Sequence, residues 1–569
     1  MEVLTWLAAQ SSLVFLFIAV ALGYFAGKLK IGNFVLGGIA GTLIMGVVLG
    51  QVGVTIDSAV KDIFFALFIY AVGYQGGPQF FRALSLKSLN QLLSAAVMCL
   101  LGLFTVLAFA WGFGLDRGTA AGLAAGGLTQ SAIIGTAGET IQKLGVSADL
   151  KQVMETNIAV GYAVCYIFGS IGPIIMVTWF FPTVMRWDIR KEALKLAEKM
   201  SGGSAELEPG QFNAARRIDT RFYTLERDTP FAGKSAKDLD ASFDDAAVEA
   251  VLRAGQEIHL EDAHSLQAGD VVAVTGLVST LDKPSVAFGT ETPAPDGYRL
   301  VLENRHIVLT NPDYAGNKLQ GIHDHTRSNA LRDVFVTGVN RMGRDLPLLP
   351  DLEIHKGDEL QLTGSPRDLN AVQKSLGYPI SSAAVTDFIF FGIGMTLGLL
   401  LGLIEFKIGG VPVSVGSGGG CLLSGLLFGW LRSTHPRYAA LPTGAVNFLR
   451  DFGLAVFVGV VGISAGPQVL TTLQEQGMSI FLFGIGVTLI PQFIGFFFSY
   501  YVLRIQNPIE ALACVAGGRS ANPAFAALLG KAQNATPVVT FTVTYAVANV
   551  LLTLWGPLIV GLVSTNPAQ

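Results

Sequence analysis

The sequence is poor in charged residues. Asp, Glu, Lys and Arg make up 14% of its 569 residues, compared with about 25% in typical soluble domains. A chain of this length with so few charges cannot cover several soluble domains with a hydrated surface. The formal net charge of −4 also excludes a chain-wide basic surface, so we expect no nucleic-acid partner.

Cysteine is scarce as well. The four cysteines each lie within an apolar run, at Cys99, Cys165, Cys421 and Cys514. They offer neither a disulfide framework nor the paired spacing of a zinc site. The seven histidines have no metal-ligand spacing, and the sequence contains no P-loop, dinucleotide fingerprint or nucleophile motif. We therefore expect no metal, no cofactor and no enzymatic activity.

Apolar residues instead fill two long parts of the chain. The hydrophobic fraction is 51%, and runs long enough to cross a bilayer follow one another from about residue 11 to 185 and from about 385 to 563. Charged residues return at soluble density between these parts. The sequence therefore predicts a polytopic α-helical membrane protein, with membrane halves at 1–185 and 380–569.

Each half contains five runs of spanning length and one segment rich in Gly, Thr and Ser. The predicted spans are 12–27, 32–50, 60–77, 89–113 and 154–183, then 385–405, 413–431, 447–466, 478–502 and 537–562. We predict that the remaining segments, about 117–140 and 509–530, are re-entrant hairpins. The juxtamembrane Lys and Arg residues then concentrate on one side, which the positive-inside rule makes cytoplasmic. The central region is cytoplasmic in this topology, and both termini are periplasmic.

The two membrane halves repeat each other. Lys61-Asp62 and Arg450-Asp451 open equivalent spans, and the residues 126–129 (GGLT) match 517–520 (GGRS) later in each half. Chance similarity between glycine-rich helices is the alternative explanation, but the matched positions keep their order and nearly their spacing. Since each half has an odd number of spans, the second copy must be inverted in the membrane. Inverted repeats with broken helices are typical of secondary transporters.

The central region contains a second duplication. Arg253-Ala254-Gly255 recurs as Arg341-Met342-Gly343, and Gly269-Asp270 recurs as Gly357-Asp358 at the same spacing. Alternating apolar stretches after each Gly-Asp turn indicate short strands. Two α+β modules are therefore predicted, at 206–292 and 293–379.

Small polar side chains lie at both predicted hairpin tips. Inside a bilayer, non-helical backbone survives only where protein or a wet cavity satisfies its polar groups. Hydroxyls, amides and free N–H groups at such a break suit a carboxylate ligand. The candidate substrate-binding residues are Thr129, Gln130, Ser131, Arg519, Ser520 and Asn522, and the tip backbone is assigned to Gly126, Gly127, Gly517, Gly518 and Pro523.

Arg519 is the most informative of these residues. Its predicted position lies within the membrane, where an unpaired arginine costs a few kcal/mol. Its planar guanidinium can bind a carboxylate at two points. The alternatives are a structural ion pair with Asp62, Glu139 or Asp451, or an interfacial position. These three carboxylates are also candidates for ion coupling, although helix capping explains Asp62 and Asp451 equally well.

The two halves resemble the aspartate–alanine exchanger family. The resemblance rests on residues 70–78 (YAVGYQGGP) and 517–524 (GGRSANPA). The duplicated central region resembles the family's paired C-terminal regulator-of-potassium-conductance domains, here called RCK-C modules. The first tip, Thr129-Gln130-Ser131-Ala132, lacks the proline that the family pattern carries there. This departure leaves the particular substrate open.

The resemblance implies a carrier of the bacterial inner membrane that exchanges small carboxylates or amino acids, such as aspartate, alanine or succinate. We expect a homodimer that works by alternating access. The RCK-C modules either regulate transport by binding a small ligand or serve only for dimerisation. Two other function classes stay open: a cation channel or antiporter gated by the modules, and a membrane sensor that binds a carboxylate without moving it.

Overall fold

The computed structural model describes residues 11–28, 30–31, 34–35, 37–84, 88–200, 218–240, 242–243, 246–258, 260, 262–282, 289–295, 298–319, 334–341, 344–349, 351–380, 386–408, 411–435 and 438–563. The chain forms two compact units. One contains the helices of both membrane halves, and the other contains most of the region between residues 197 and 382.

The first half consists of helices and one short β-ribbon. Its elements are α1 (Ser12–Gly27), β1 (Lys30–Ile31), β2 (Phe34–Val35), α2 (Gly38–Gly50), α3 (Ser58–Ala83), α4 (Leu89–Phe113), α5 (Arg117–Gly127), α6 (Ala132–Gln142) and α7 (Ala148–Ile175). A π-helical turn, Met176–Phe180, extends α7 into α8 (Phe181–Met185), and α9 (Ile189–Met200) follows.

The described residues of the central region form two five-stranded sheets. The first consists of β3 (Ile218–Leu225), β4 (Ala246–Arg253), β5 (Gln256–Ile258), β6 (Val271–Leu277) and β7 (Gly289–Thr292), with α10 (Ala236–Asp240) and α11 (Val278–Leu281) between its strands. The second consists of β8 (Glu303–Leu309), β9 (Val334–Arg341), β10 (Arg344–Asp345), β11 (Glu359–Gly364) and β12 (Gly377–Ile380), with α12 (Pro366–Leu376). The predicted central α+β region is thus confirmed.

Both sheets have the same topology. The strand orders are β5-β4-β6-β3-β7 and β10-β9-β11-β8-β12, so every strand of the second sheet occupies the place of its counterpart in the first. The central pairs β3–β6 and β8–β11 are antiparallel. The matching topology agrees with the recurrence of the Arg-containing segment and the Gly-Asp turn in the sequence.

The second half repeats the order of the first. Its elements are α13 (Phe388–Gly402), β13 (Glu405–Ile408), β14 (Val411–Ser414), α14 (Gly416–Thr434), α15 (Thr443–Phe497), a π-helical turn (Phe498–Val502), α16 (Pro508–Gly518), α17 (Asn522–Ala532) and α18 (Thr536–Leu562). One feature differs from the predicted spans. The segments 447–466 and 478–502 lie within one helical run, since α15 continues through 55 residues with Pro467 and Pro491 inside it.

Among the described residues, five helical segments are long and apolar enough to cross a membrane by length and composition. They are Leu89–Phe113, Ala148–Met185, Thr443–Val469, Gly477–Val502 and Thr536–Leu562. Helices α1, α2, α13 and α16 are apolar but shorter. This confirms a multi-pass helical membrane protein whose two halves flank the central region.

The two halves pack against each other through glycines. A Cβ atom on Gly73 of α3 would collide with the Leu422 carbonyl of α14. The repeat-related Gly462 of α15 lies against α2 in the same way, with the Leu43 carbonyl 2.7 Å from its ideal Cβ position. Small residues let helix backbones approach closely where no hydrophobic effect drives them together. One long helix of each half therefore packs directly against a helix of the other half.

Candidate functional site

A broken helix pair occupies the same place in each half. Residues 128–131 separate α5 from α6, and residues 519–521 separate α16 from α17. The capping residues Asp116 and Asn507, which are repeat-related, accept hydrogen bonds from the first N–H groups of α5 and α16. Both breaks contain a left-handed residue at the equivalent position, Thr129 with φ 54° and Ser520 with φ 57°. Such a conformation is uncommon for residues other than glycine, so these two turns are specific features of the backbone.

Both breaks line one cavity of about 560 Å³, which we call the tip cavity. The structure brings together five of the six predicted substrate-binding residues here. The cavity-lining polar residues and proline at the two breaks, including the first two residues of α17, are Thr129, Gln130, Ser131, Ser520, Asn522 and Pro523. The four tip glycines, Gly126, Gly127, Gly517 and Gly518, are buried behind this lining.

Asn549 of α18 links the two breaks. Its Oδ1 accepts hydrogen bonds from Gln130 Nε2 and from Ser520 Oγ, both at 3.2 Å. Asn549 also lines the tip cavity. Sequence reasoning missed this residue, because a single asparagine inside an apolar helix carries no motif.

Two tyrosines form hydrogen bonds with corresponding residues, one at each break. The hydroxyl of Tyr162 lies 2.8 Å from Ser131 Oγ, and Asn522 Nδ2 donates to the Tyr545 hydroxyl at 3.2 Å. The sequence contained a signal for this pair, since Tyr-Ala-Val recurs at 162–164 and 545–547. The two contacts are the same interaction in the two repeats.

Arg519 lies next to the tip cavity but does not line it. Its side chain is 1% exposed. Nη1 donates to the Thr488 carbonyl at 3.0 Å, and Nη2 donates to the Gly127 carbonyl of the other break. Its Nε has no hydrogen-bond partner among the described residues. The guanidinium thus braces α15 and the first break through backbone oxygens, and its contact with substrate stays a prediction.

Arg450 is the basic residue that lines the tip cavity. Its Nη1 donates to Gln75 Oε1 at 2.7 Å, and its Nε donates to Asp451 Oδ1 at 2.8 Å. Asp451, a predicted coupling candidate, therefore faces the neighbouring arginine at the cavity wall. Sequence reasoning noted Arg450 only as the counterpart of Lys61 and did not place it at the site.

The other two coupling candidates line a second cavity of about 640 Å³. Asp62 and Glu139 share its wall with Lys61, Lys143 and Glu155. Glu139 accepts hydrogen bonds from the Ser417 hydroxyl and, at 3.4 Å, from the Gly418 N–H at the start of α14. The Lys61 ammonium lies 3.4 Å from Glu155 Oε1.

The two cavities follow one another along α3 and α15. On α3, Lys61 and Phe65 line the second cavity, and Phe68 and Gln75 line the tip cavity. On α15 the order is reversed, with Arg450 and Leu454 in the tip cavity and Phe457 and Ser464 in the second. The Phe65 and Phe457 rings lie 4.8 Å apart between the centroids. Phe65 also lies 6.4 Å from Phe68 of the tip cavity, so these tilted phenyl rings lie at the boundary between the cavities.

The lining groups of the tip cavity can bind a small polar solute. Within the part of the chain that the structure describes, no three His, Cys, Asp or Glu side chains converge as metal ligands. The four cysteines are free and buried. Hydroxyls, amides and a guanidinium beside a carboxylate offer both donors and acceptors to a ligand.

Comparison with known proteins places the chain among membrane transporters. The aspartate–alanine exchanger model, described as a predicted permease membrane region, matches residues 15–182 and 390–561. An uncharacterized transporter of Francisella tularensis is 48% identical over 560 residues, covering 98% of both chains. Uncharacterized transporters of Zymomonas mobilis and Bradyrhizobium diazoefficiens are 40% and 36% identical, each over 98% of this chain and 99% of the relative. No solved structure matches. With both membrane halves matched and full-length relatives at these identities, the chain belongs to the aspartate–alanine exchanger family of transporters.

Proposed function

We propose that the protein is a secondary transporter that exchanges small carboxylates or amino acids across the bacterial inner membrane. The observation that carries this proposal is the meeting of two repeat-related helix breaks at one polar cavity. Discontinuous helices that converge on a binding site are the usual construction of secondary transporters with internal repeats. The family membership supports transport as the activity, and the cavity chemistry supports the substrate class.

The substrate carboxylate binds in the tip cavity in this proposal. Arg450 supplies a fixed positive charge, and the hydroxyls and amides of the breaks supply neutral donors. An amino-acid substrate would place its ammonium group near Asp451, which lies in the same wall. Arg519 acts on the site by holding the first break against α15, because its donors are directed at backbone oxygens.

We further propose that the halves are inverted repeats with ten spans, and that the broken pairs α5–α6 and α16–α17 are re-entrant. The matching order of elements and the equivalent left-handed residues support the repeat. The two cavities follow one another along α3 and α15, and aromatic rings lie between them. This arrangement supports alternating access, because a continuous channel would need an open path between the cavities. Homodimer formation and regulation of transport by the cytoplasmic RCK-C modules belong to the same proposal.

Counterflow in proteoliposomes tests the function. Vesicles loaded with unlabelled aspartate, alanine or succinate are tested for uptake of each labelled compound. We expect uptake only when a particular compound is present inside, which identifies the exchanged pair. Uptake into empty vesicles driven by a proton or sodium gradient contradicts exchange, and cation currents without solute uptake contradict the carrier proposal.

A further inference from the structure

The second cavity is the repeat-related counterpart of the tip cavity. Lys61 and Asp62 of α3 line the second cavity, and Arg450 and Asp451 of α15 line the tip cavity. The start of α14 contributes Ser417 to the second cavity, and the start of α2 contributes Ile39 to the tip cavity. Elements that correspond in the two repeats therefore build the two walls. The two cavities therefore share corresponding elements of the repeats, while the described residues of both helix breaks line the tip cavity.

Each compartment contains one cation from the repeated basic-acidic pair. Arg450 is held by Asp451 and Gln75. Lys61 lies 3.4 Å from Glu155 Oε1, and the same oxygen accepts a 2.9 Å hydrogen bond from Gln142 Nε2. A separation of 3.4 Å is long for a charge-assisted bond, which is typically about 2.7–2.9 Å. Because an ammonium has three donors, Lys61 can bind a further anion in the cavity.

The wall between the compartments also follows the repeat. Phe68 lines the tip cavity, and its counterpart Phe457 lines the second cavity. The Phe65 ring contacts both, with centroid distances of 6.4 Å to Phe68 and 4.8 Å to Phe457. A solute in one compartment is therefore screened by phenyl rings from the other.

We propose that the second cavity is a carboxylate-binding site on the periplasmic side, in which Lys61 has the role that Arg450 has in the tip cavity. This inference rests on the proposed exchange function. An exchanger must recognise its ligand from both sides of the membrane. Two related cavities provide for that, because the repeated basic-acidic pair places one of its cations in each. The positive-inside topology places Lys61 and Lys143 outside and Arg450 inside, which assigns the second cavity to the periplasm.

The first test measures the KM for labelled aspartate, alanine or succinate separately in right-side-out and inside-out vesicles. Loss of a charge-assisted contact weakens binding about tenfold or more. We expect Lys61→Met to raise the KM about tenfold or more at the periplasmic side and less than about twofold at the cytoplasmic side. Arg450→Met has the opposite pattern. Lys195→Met is the matched control, because Lys195 forms its ion pair with Glu192 on α9, away from both cavities.

Equal effects of Lys61→Met at both sides, or no effect at either, overturn the inference while leaving the exchange function intact. A wild-type protein without counterflow overturns the exchange function itself. Lys61→Arg keeps the charge and should retain much of the periplasmic affinity. A structural defect would lower the transport rate of Lys61→Met at both sides without a sided change in KM.

A labelling experiment tests the two compartments without relying on transport. The native cysteines are buried, so they provide little background. Ser464 and Ala526 are exposed residues that line the second and the tip cavity respectively. We expect a membrane-impermeant thiol reagent to modify Ser464→Cys from the periplasm and Ala526→Cys from the cytoplasm. Protection of Ser464→Cys by the exchanged compound supports a binding site there. Labelling of both cysteines from one side, or labelling of Ser464→Cys that the exchanged compound does not slow, contradicts it.

Discussion

Two arginines near the helix breaks have opposite surroundings. Arg519 is buried and donates to the carbonyl groups of Thr488 and Gly127. Arg450 lines the tip cavity and contacts Gln75 and Asp451. A buried guanidinium that donates to two backbone oxygens can act as a structural brace. A guanidinium at a cavity wall is accessible to a ligand.

At the residue scale, Arg519→Ala should lower the thermal stability of the protein and abolish transport. The substitution removes a donor from buried carbonyl groups, and an unsatisfied buried polar group costs about 1–3 kcal/mol. Thermal unfolding in detergent and counterflow measure the two effects. Arg190→Ala is the matched control, because half-buried Arg190 also donates to a backbone carbonyl, that of Ala532. Arg190→Ala should cause a smaller loss of thermal stability and of transport. An Arg519→Ala protein with normal stability and normal transport would falsify both the brace and the substrate contact.

At the scale of helices, close packing depends on the glycines that face a neighbouring backbone. Gly73 and Gly76 lie in the same glycine-rich segment of α3, but they face different surroundings. A Cβ on Gly73 would meet the Leu422 carbonyl, whereas a Cβ on Gly76 would have one neighbour at 3.9 Å, the Leu426 Cδ2. The packing of α3 on α14 therefore tolerates a methyl group at one position and excludes it at the other.

This difference predicts the outcome of two alanine substitutions. Gly73→Ala should lower the free energy of unfolding by about 1–3 kcal/mol, because overpacking forces the helices apart. Gly76→Ala should be neutral or slightly stabilising, because alanine favours helix. Thermal unfolding of both variants in the same detergent checks the prediction. Equal losses of stability in the two variants would show that contact with α14 is not the reason for a glycine at Gly73.

At the scale of the whole molecule, the order of elements recurs in the two membrane halves. The strand order likewise recurs in the two sheets of the central region. Corresponding Arg and Asp residues form an ion pair in each half of the central region. Arg253 Nε and Nη2 each lie 2.8 Å from Asp270 oxygens, and Arg341 Nε and Nη2 lie 2.7 and 2.5 Å from Asp358 oxygens. The two pairs differ in exposure, since the Arg253 side chain is 37% exposed and the Arg341 side chain 1%.

The difference in burial predicts unequal effects of two substitutions in the full-length protein. Arg341→Leu should destabilise the second sheet by about 3–5 kcal/mol, because it leaves a buried carboxylate without its cation. Arg253→Leu should have a smaller effect of about 1–3 kcal/mol. Asp270 is also buried, but Arg253 is exposed, so water can approach the carboxylate once the guanidinium is removed. Hydrogen exchange of β9 and β4 measures the local stability in each variant. The double variant Arg341→Leu with Asp358→Leu should recover part of the loss. Equal exchange rates in both single variants would contradict the prediction.

The sequence by itself determined the class of protein and the position of its parts. Charge density divides the chain, because charged side chains cannot face lipid. The recurring 126–129 and 517–520 segments located both breaks, because glycine-rich polar turns inside apolar runs are local features of the sequence. The same patterns located five polar residues that line the tip cavity. They also marked the Arg and Asp residues of the central region as repeated, although their ion pairs became visible only in the structure.

Only the tertiary structure decided which charged side chain faces the tip cavity. The sequence pointed to Arg519, but its direction depends on carbonyl groups of α15 and of the opposite repeat, which are far away in the chain. Arg450, Asn549 and the second cavity are likewise products of helix packing. Local patterns fix which residues form a helix, whereas the rotation of that helix about its axis depends on every neighbour that packs against it. The direction in which a side chain points is therefore determined by the tertiary structure.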